Sequence, residues 1–390
     1  MTAIRNIELS APLAPIDDVA AYGRCMLVLR WHGRVVGREF VTVRDGGVSV
    51  EQVEELLAGS TGEVALFRWL FDALEYDDRA TLDPAPASGT VAICTRERPH
   101  DLERALIAVS AVNGTDREIL VVDNAPETEA TRSVADRFPA ARYIVEPRRG
   151  LNAARNRALR EASHDVVAFT DDDAAPEPQW LDNLLRNFGD RRTVCATGLT
   201  LPLELETEAQ ELFEQHCTFV RGFERRVFEG SSGNPLAVGL VGAGANMAVR
   251  RDAILDLGGF DERLDAGMPT RSGGDHEMFV RILASGLRIA YDPVAVSWHR
   301  HRRTHDELLD TVYGYGVGVY ATWTGLLVER QELGVLRMAW LWFRKGQLPL
   351  LLRRGAQRQP QARLTWTELR GCLHGPRAWL AARRLQSAGE

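Results

Sequence analysis

Lysine is nearly missing from this 390-residue chain, cysteine is sparse and unpatterned, and no run of about 18 to 20 apolar residues occurs. Each absence excludes something. The five cysteines, Cys25, Cys94, Cys195, Cys217 and Cys372, are odd in number and include no Cys-x-x-Cys pair, which argues against a disulfide framework and predicts a reducing compartment. Without a long apolar run there is no spanning helix to assign. Without a basic start leading into an apolar stretch, a cytoplasmic location is expected. A formal net charge of -7 argues against an obligate nucleic-acid binder. The single lysine, Lys345, in an Arg- and Ala-rich chain points to a GC-rich, bacterial genome.

What is present is enough apolar material for a full core, 45% of residues, over a length that suggests two or three domains. Residues 1–82 form a small α+β module, with strands expected at Met26–Trp31 and Val35–Val43 and a helix from Val50 to Leu57. Residues 83–89, Asp-Pro-Ala-Pro-Ala-Ser-Gly, disfavour regular structure and are expected to be a linker. From Thr90 the pattern alternates: strands at Val91–Thr95, Glu118–Val122, Tyr143–Val145 and Asp165–Thr170, with helices over about 127–137 and 152–162. That order predicts an α/β domain over 90–305, a mostly parallel sheet with flanking helices. After Val194 the alternation loosens, with a helix expected over Leu212–Phe223 and a final strand over Ile289–Trp298. Residues 306–390 are expected to be a helical, basic extension. Within it Arg337 to Glu390 carries eleven Lys or Arg against two Glu.

Asp171, Asp172 and Asp173 stand at the mouth of the expected buried strand Asp165–Thr170. Three adjacent carboxylates repel one another unless water, cations or a divalent metal offsets them, and oxygen-rich clusters suit Mg2+ or Mn2+. Ligands in open α/β sheets bind beyond the carboxyl ends of strands, so place and chemistry agree. The other ends contribute Thr95 to Arg98, Asp123 and Asn124, and Arg148 and Arg149. The glycine-rich stretch 242–246 lacks Gly-x-Gly-x-x-Gly spacing, which removes a dinucleotide site.

In order along the chain, Val91–Arg98, Glu118–Asn124, Gly150-Leu-Asn-Ala-Ala-Arg-Asn156, Phe169-Thr-Asp-Asp-Asp173, Gly258-Gly-Phe-Asp-Glu262, Gly273-Gly-Asp-His-Glu277 and His299-Arg-His301 resemble the family 2 glycosyltransferases of GT-A fold. The resemblance covers about 90–303. It implies a metal-dependent, inverting transfer of a sugar from a nucleotide diphosphate sugar, a UDP-sugar by preference, to a hydroxyl acceptor. Asp173 would contact Mn2+ or Mg2+ directly, Asp171 the metal or the ribose, and Asp172 would orient its neighbours in the donor site. His299 would complete the metal or diphosphate site, the alternative being a surface histidine in a basic run.

Thr95, Arg98 and Asp123 would seat the base, Asp123 accepting an imide N–H, unless it is only an Asx-turn residue. Arg155 would reach the base or phosphates, with a surface ion pair as its other reading. Asp275 would be the catalytic base, with Glu277 as a rival for that role and a helix N-cap as the simpler reading of Asp275. Gly244, Asn246, His276 and Glu277 would line the sugar or acceptor.

Two other classes remain open at this point: a non-catalytic nucleotide-sugar or glycan-binding protein on the same scaffold, and a nucleotidyltransferase, although Thr95-Arg-Glu-Arg-Pro99 holds no glycine to grip phosphates. In the tail, Met338–Phe343 with Arg344 and Lys345, then Leu348–Leu352 with Arg353 and Arg354, interleave apolar anchors with cations. Peripheral contact with the inner face of a membrane and a packed helix pair with Arg-rich outer faces both fit. Alternate small residues in Tyr313–Tyr320 suggest close helix packing or an acceptor channel wall. A homodimer is a further option.

Overall fold

Val91 and Ile93 join one apolar core and Ala92 and Cys94 join another, so the strand that carries them lies inside a sheet covered on both faces. The computed structural model describes residues 1–59, 86, 88–114, 116–231, 233–352 and 359–389. Most of the expected linker and residues 60–82 of the N-terminal module lie outside these.

In chain order the module comprises β1 (Thr2–Glu8), β2 (Arg24–Trp31), β3 (Arg34–Thr42) and α1 (Val50–Leu57). The central part follows as β4 (Gly89–Thr95), α2 (Pro99–Ser110), β5 (Arg117–Asn124), α3 (Ala130–Ala135), β6 (Ala141–Glu146), α4 (Leu151–Glu161), β7 (Val166–Asp171), β8 (Ala174–Pro176) and α5 (Trp180–Leu185). Then come β9 (Thr193–Pro202), α6 (Glu208–Cys217), β10 (Arg226–Glu229), β11 (Asn246–Arg250), α7 (Arg251–Asp256), α8 (Gly274–Ala284) and β12 (Arg288–His299). The chain closes with α9 (His305–Arg330), α10 (Gly334–Trp342), α11 (Leu348–Leu352) and α12 (Gln359–Gly389).

Among the described residues the large sheet has nine strands, ordered β10-β12-β9-β11-β7-β4-β5-β6 with β8 added to β12. The half β7-β4-β5-β6 is parallel as expected. The expectation of a mostly parallel sheet weakens beyond β7, because β11 runs antiparallel to both β7 and β9. The short strands β8 and β10, and β1 in the module, are elements the sequence pattern did not yield. The helix expected over 212–223 is instead α6, fixed at its start by a capping box in which Thr207 and Gln210 satisfy each other's backbone N–H groups.

The module packs on the main sheet. Met26, Val28 and Val35 share an apolar cluster with Leu199, Leu201 and Val296. Arg30 pairs with Glu177 and Arg38 with Glu214 at the same junction. At the other end of the chain α9 and α12 touch backbone to backbone: a Cβ on Gly316 would lie 2.2 Å from the Glu368 carbonyl oxygen, and one on Gly371 2.2 Å from that of Tyr313. Close packing is therefore what the small residues of 313–320 serve. Ser272 Oγ donates to the Gly314 carbonyl at 2.9 Å and Thr322 Oγ1 to that of Gly273 at 3.2 Å, so α9 also braces the start of α8.

Candidate active site

Parallel register brings three strand ends together. Thr95 stands opposite Asp123 on the neighbouring strand, and Cys94 opposite Asp171 on the other. Asp171 closes β7, and Asp172 and Asp173 make the turn into β8. Pairing of β8 with β12 sets His299 opposite Ala174, which turns its ring back onto the triplet. Its Nε2 lies 3.2 Å from Asp173 Oδ1. Asp171, Asp173 and His299 each offer an atom within 4.8 Å of the others. Two carboxylates and an imidazole suit a divalent ion such as Mn2+ or Mg2+. The surface-histidine reading of His299 fails, since its side chain is 13% exposed and faces Asp173.

Arginines balance the remaining charge. Arg98 donates to Asp172 Oδ1 and, from Nη2, to Asp173 Oδ2 at 2.9 Å, while Arg302 Nη1 lies 3.3 Å from the same Asp173 oxygen. Thr95 Oγ1 donates to Asp172 Oδ2 at 2.8 Å. Burial pushes the Asp172 carboxyl up to about 7, against the pull of Arg98. For Asp173 burial is overcome, and His299, Arg98 and Arg302 hold it well below the usual carboxylate range. Burial and the Asp173 charge raise Asp171. Asp172 is thus a buried anchor for Thr95 and Arg98, each of its oxygens accepting one of these bonds.

Asp123 is fully buried. Its Oδ2 accepts from the Tyr143 hydroxyl at 2.8 Å and its Oδ1 has no partner, while burial raises its carboxyl. An unsatisfied buried acceptor costs about 1–3 kcal/mol, and the Thr131 hydroxyl, also buried without a partner, acts on the same carboxyl. Beside it, Glu97 accepts from the N–H groups of Glu127 at 2.8 Å and Thr128 at 3.0 Å, lacing the β4 and β5 loops together.

A second cluster centres on Arg155 and Asp275. Arg155 is 4% exposed, which removes its surface ion-pair reading. Its Nη1 reaches Asp265 Oδ2 at 2.9 Å and Asn152 Oδ1 at 3.1 Å, and its charge also acts on Asp171 and Asp275. Asp275 is not the N-cap of α8. Gly273, at φ 100°, takes that position, and Asp275 sits inside the first turn. Its Oδ2 accepts from the Gly244 N–H at 2.9 Å and its Oδ1 from the His276 N–H at 2.8 Å. Burial would raise this carboxyl, yet His276, Arg155 and those two N–H groups keep it below its ordinary value, so it is an ionised acceptor at neutral pH. A Cβ on Gly244 would lie 2.8 Å from Arg155 Nη2 and 3.2 Å from Asp275 Cβ, so an added methyl would press on both side chains.

Two expected sugar-lining residues are turned elsewhere. Asn246 is fully buried and spends its amide on structure, accepting from Trp180 Nε1 at 2.8 Å and donating to the carbonyls of Leu199 at 3.0 Å and Ala295 at 3.1 Å. Glu277, two residues past Asp275 and so on another side of the helix, holds Arg281 at 2.7 Å. Arg281 in turn donates to the carbonyls of Leu257 and Gly259, each at 2.7 Å, so Glu277 clamps the loop after α7. His276 is half-buried and meets Asp275 through its backbone.

The sequence reading missed Asp265, Tyr143, Arg302 and the pair behind His299. Asp265 has a left-handed backbone, φ 82°, which no composition signal marks. His301 Nδ1 lies 3.3 Å from His299 Nδ1, and its Nε2 lies 2.7 Å from Glu214 Oε1, on α6.

Residues 90–257, which contain the acidic triplet, Asp123, Arg155 and Gly244, match the family model described as Glycosyl transferase family 2. This segment is a family 2 glycosyl transferase domain. The pre-mycofactocin glycosyltransferase of Mycobacterium tuberculosis is 30% identical over 244 residues, covering 61% of this chain and 48% of its own. The glucosyl-dolichyl phosphate glucuronosyltransferase of Haloferax volcanii is 27% identical over 178 residues, 44% of this chain and 55% of its own. The chain therefore spans about half the length of these curated relatives. Among solved structures, a mannosyltransferase from Pyrobaculum calidifontis in complex with GDP-Man and Mn2+ is 17% identical with a TM-score of 0.47, covering 83% of this chain and 81% of that one. Asp275 and His299 lie beyond the matched segment and return to it through α8 and β12.

Proposed function

We propose that the protein is an inverting glycosyltransferase that moves a sugar from a nucleotide diphosphate sugar, a UDP-sugar by preference, to a hydroxyl acceptor. The observation that carries this reading is the meeting of Asp171, Asp173 and His299 at the carboxyl end of β7 in a family 2 domain. These three residues would hold Mn2+ or Mg2+, which when bound neutralises charge developing on the leaving diphosphate. Asp123 would accept the base N–H, and Arg98 and Arg302 would offer cations toward the phosphates.

Asp275 would take the acceptor's hydroxyl proton as that oxygen bonds to the anomeric carbon. The bond from that carbon to the diphosphate oxygen breaks, and its electron pair leaves with the diphosphate. The two N–H groups on Asp275 fix the carboxylate, and Arg155 stands behind it. Thermal unfolding with and without Mn2+ across a panel of nucleotide sugars tests the reading. A UDP-sugar should raise the Tm only when the metal is present, and Asp173→Ala should abolish both that rise and turnover. Turnover at the normal rate by Asp173→Ala would refute the assignment.

A further inference from the structure

The outward face of α12 carries a repeat that the transfer reading does not use. Arg363, Arg370, Arg377 and Arg384 recur every seven residues, and Trp366, Leu373 and Leu380 recur at the same interval three residues after the first three arginines. All seven are exposed: Trp366 at 60%, Leu373 at 79% and Leu380 at 47%. Seven residues is nearly two helical turns, so the seven form one stripe almost parallel to the axis, about 32 Å long. The opposite face holds Leu364, Cys372, Ala378 and Trp379, which are buried. The stripe is therefore an outer surface left over after α12 has packed.

Its charge is of one sign. The helix has a single carboxylate, Glu368, which is half-buried and accepts from Gln347 Nε2 at 2.7 Å. In the separate stretch 333–345, which includes α10, Leu333, Leu336 and Trp340 are also exposed, and Arg337, Arg344 and Lys345 are the basic residues. Exposed apolar side chains set between cations match the headgroup layer of a bilayer, where apolar tips enter and guanidiniums meet lipid phosphates.

A second copy fits poorly, since pairing two such stripes sets arginine against arginine. An acidic protein would satisfy the cations. However, the apolar line that they flank, Trp366, Leu369, Leu373, Pro376 and Leu380, is a single side chain wide, narrower than the apolar centre of a stable protein interface.

We propose that this stripe docks the protein on an anionic lipid surface. The proposal is independent of the transfer chemistry. Each basic residue near such a surface strengthens partitioning about fivefold, so the four arginines decide whether the apolar tips suffice.

The test is co-sedimentation of the full chain with vesicles of phosphatidylcholine alone and of phosphatidylcholine mixed with phosphatidylglycerol. Binding should favour the anionic vesicles by more than about tenfold and weaken with salt. The double variant Arg370→Glu/Arg377→Glu and the single variant Leu373→Ser should each reduce it while leaving the thermal melt unchanged. Absence of binding, equal binding to neutral vesicles or indifference to these variants would overturn the proposal. So would a dimer by light scattering that the Arg→Glu variant disrupts, which would give the stripe to a second copy.

Discussion

His301 Nε2 and Glu214 Oε1 lie 2.7 Å apart in a buried pair, and the other ring nitrogen of His301 faces Nδ1 of His299 at 3.3 Å. Glu214 also holds Arg38 from the N-terminal module, so a chain of contacts runs from β3 to the histidine beside Asp173. With Glu214 accepting from Nε2–H, His301 offers its Nδ1 lone pair to the N–H of His299. That leaves His299 Nε2 to face the acidic corner. Loss of such an outer partner commonly costs about 10- to 100-fold in metal affinity. Glu214→Gln should weaken Mn2+ binding by that order when measured by electron paramagnetic resonance on the protein alone, and unaltered affinity would remove the link.

The same pair gives the fold an acid limb. Burial opposes ionisation of Glu214, yet His301 and Arg38 hold its carboxyl down at about 2, against an ordinary value of 4.5. A carboxyl with a lowered folded-state value contributes stability that is complete above the ordinary value and is lost as pH falls through 4.5 toward 2. The interval corresponds to about 3 kcal/mol. Burial also keeps His301 below its usual value, so charging that ring acts in the same direction. Urea unfolding at a series of pH values should show this loss in the native protein, and Glu214→Gln should flatten it. An identical pH slope in the variant would count against the pairing.

Much of this site was legible because strand ends are legible. Asp171 to Asp173 and Asp123 follow apolar runs of strand length, and parallel order alone puts such ends on one edge. His299 was found by its place in a motif. Its ring direction depends on β8, a three-residue strand that carries no periodicity. Asn246 and Glu277 failed for a related reason. Sequence neighbours of Gly244 and Asp275 were expected to share their surroundings, but Asn246 opens β11 beyond the turn that holds Gly244, and two helical positions turn a side chain by about 200°. Asp265 depends on a left-handed backbone held by the tertiary contact with Arg155 and by N–H groups of Ala266 and Met268, a turn that no periodicity marks.

Glu277 separates structure from chemistry. Removing one partner of a buried ion pair commonly costs about 3–5 kcal/mol. Glu277→Ala should lose stability of that order, because Arg281 would be left at 7% exposure without its carboxylate. At a temperature where this variant is folded, its kcat should stay within a few-fold of the native value. A kcat loss without a stability loss would return Glu277 to the list of candidate bases.

Asp275 should behave in the opposite way. Asp275→Asn keeps the size of the side chain and an oxygen for the Gly244 or His276 N–H, but removes the ionised acceptor. Donor affinity should be unchanged and kcat should fall by about 10²- to 10⁴-fold, the usual worth of a positioned general base. Gly244→Ala tests the geometry while keeping the base's own carboxylate: the added Cβ must displace Asp275 or Arg155, whose atoms lie at 3.2 and 2.8 Å from its position. Because Arg155 and the Gly244 N–H help to hold the Asp275 carboxyl below its ordinary value, displacing either should lower kcat and move the acid limb of the pH–rate profile to higher pH. Normal kcat in both variants would place the proton acceptor elsewhere in the site.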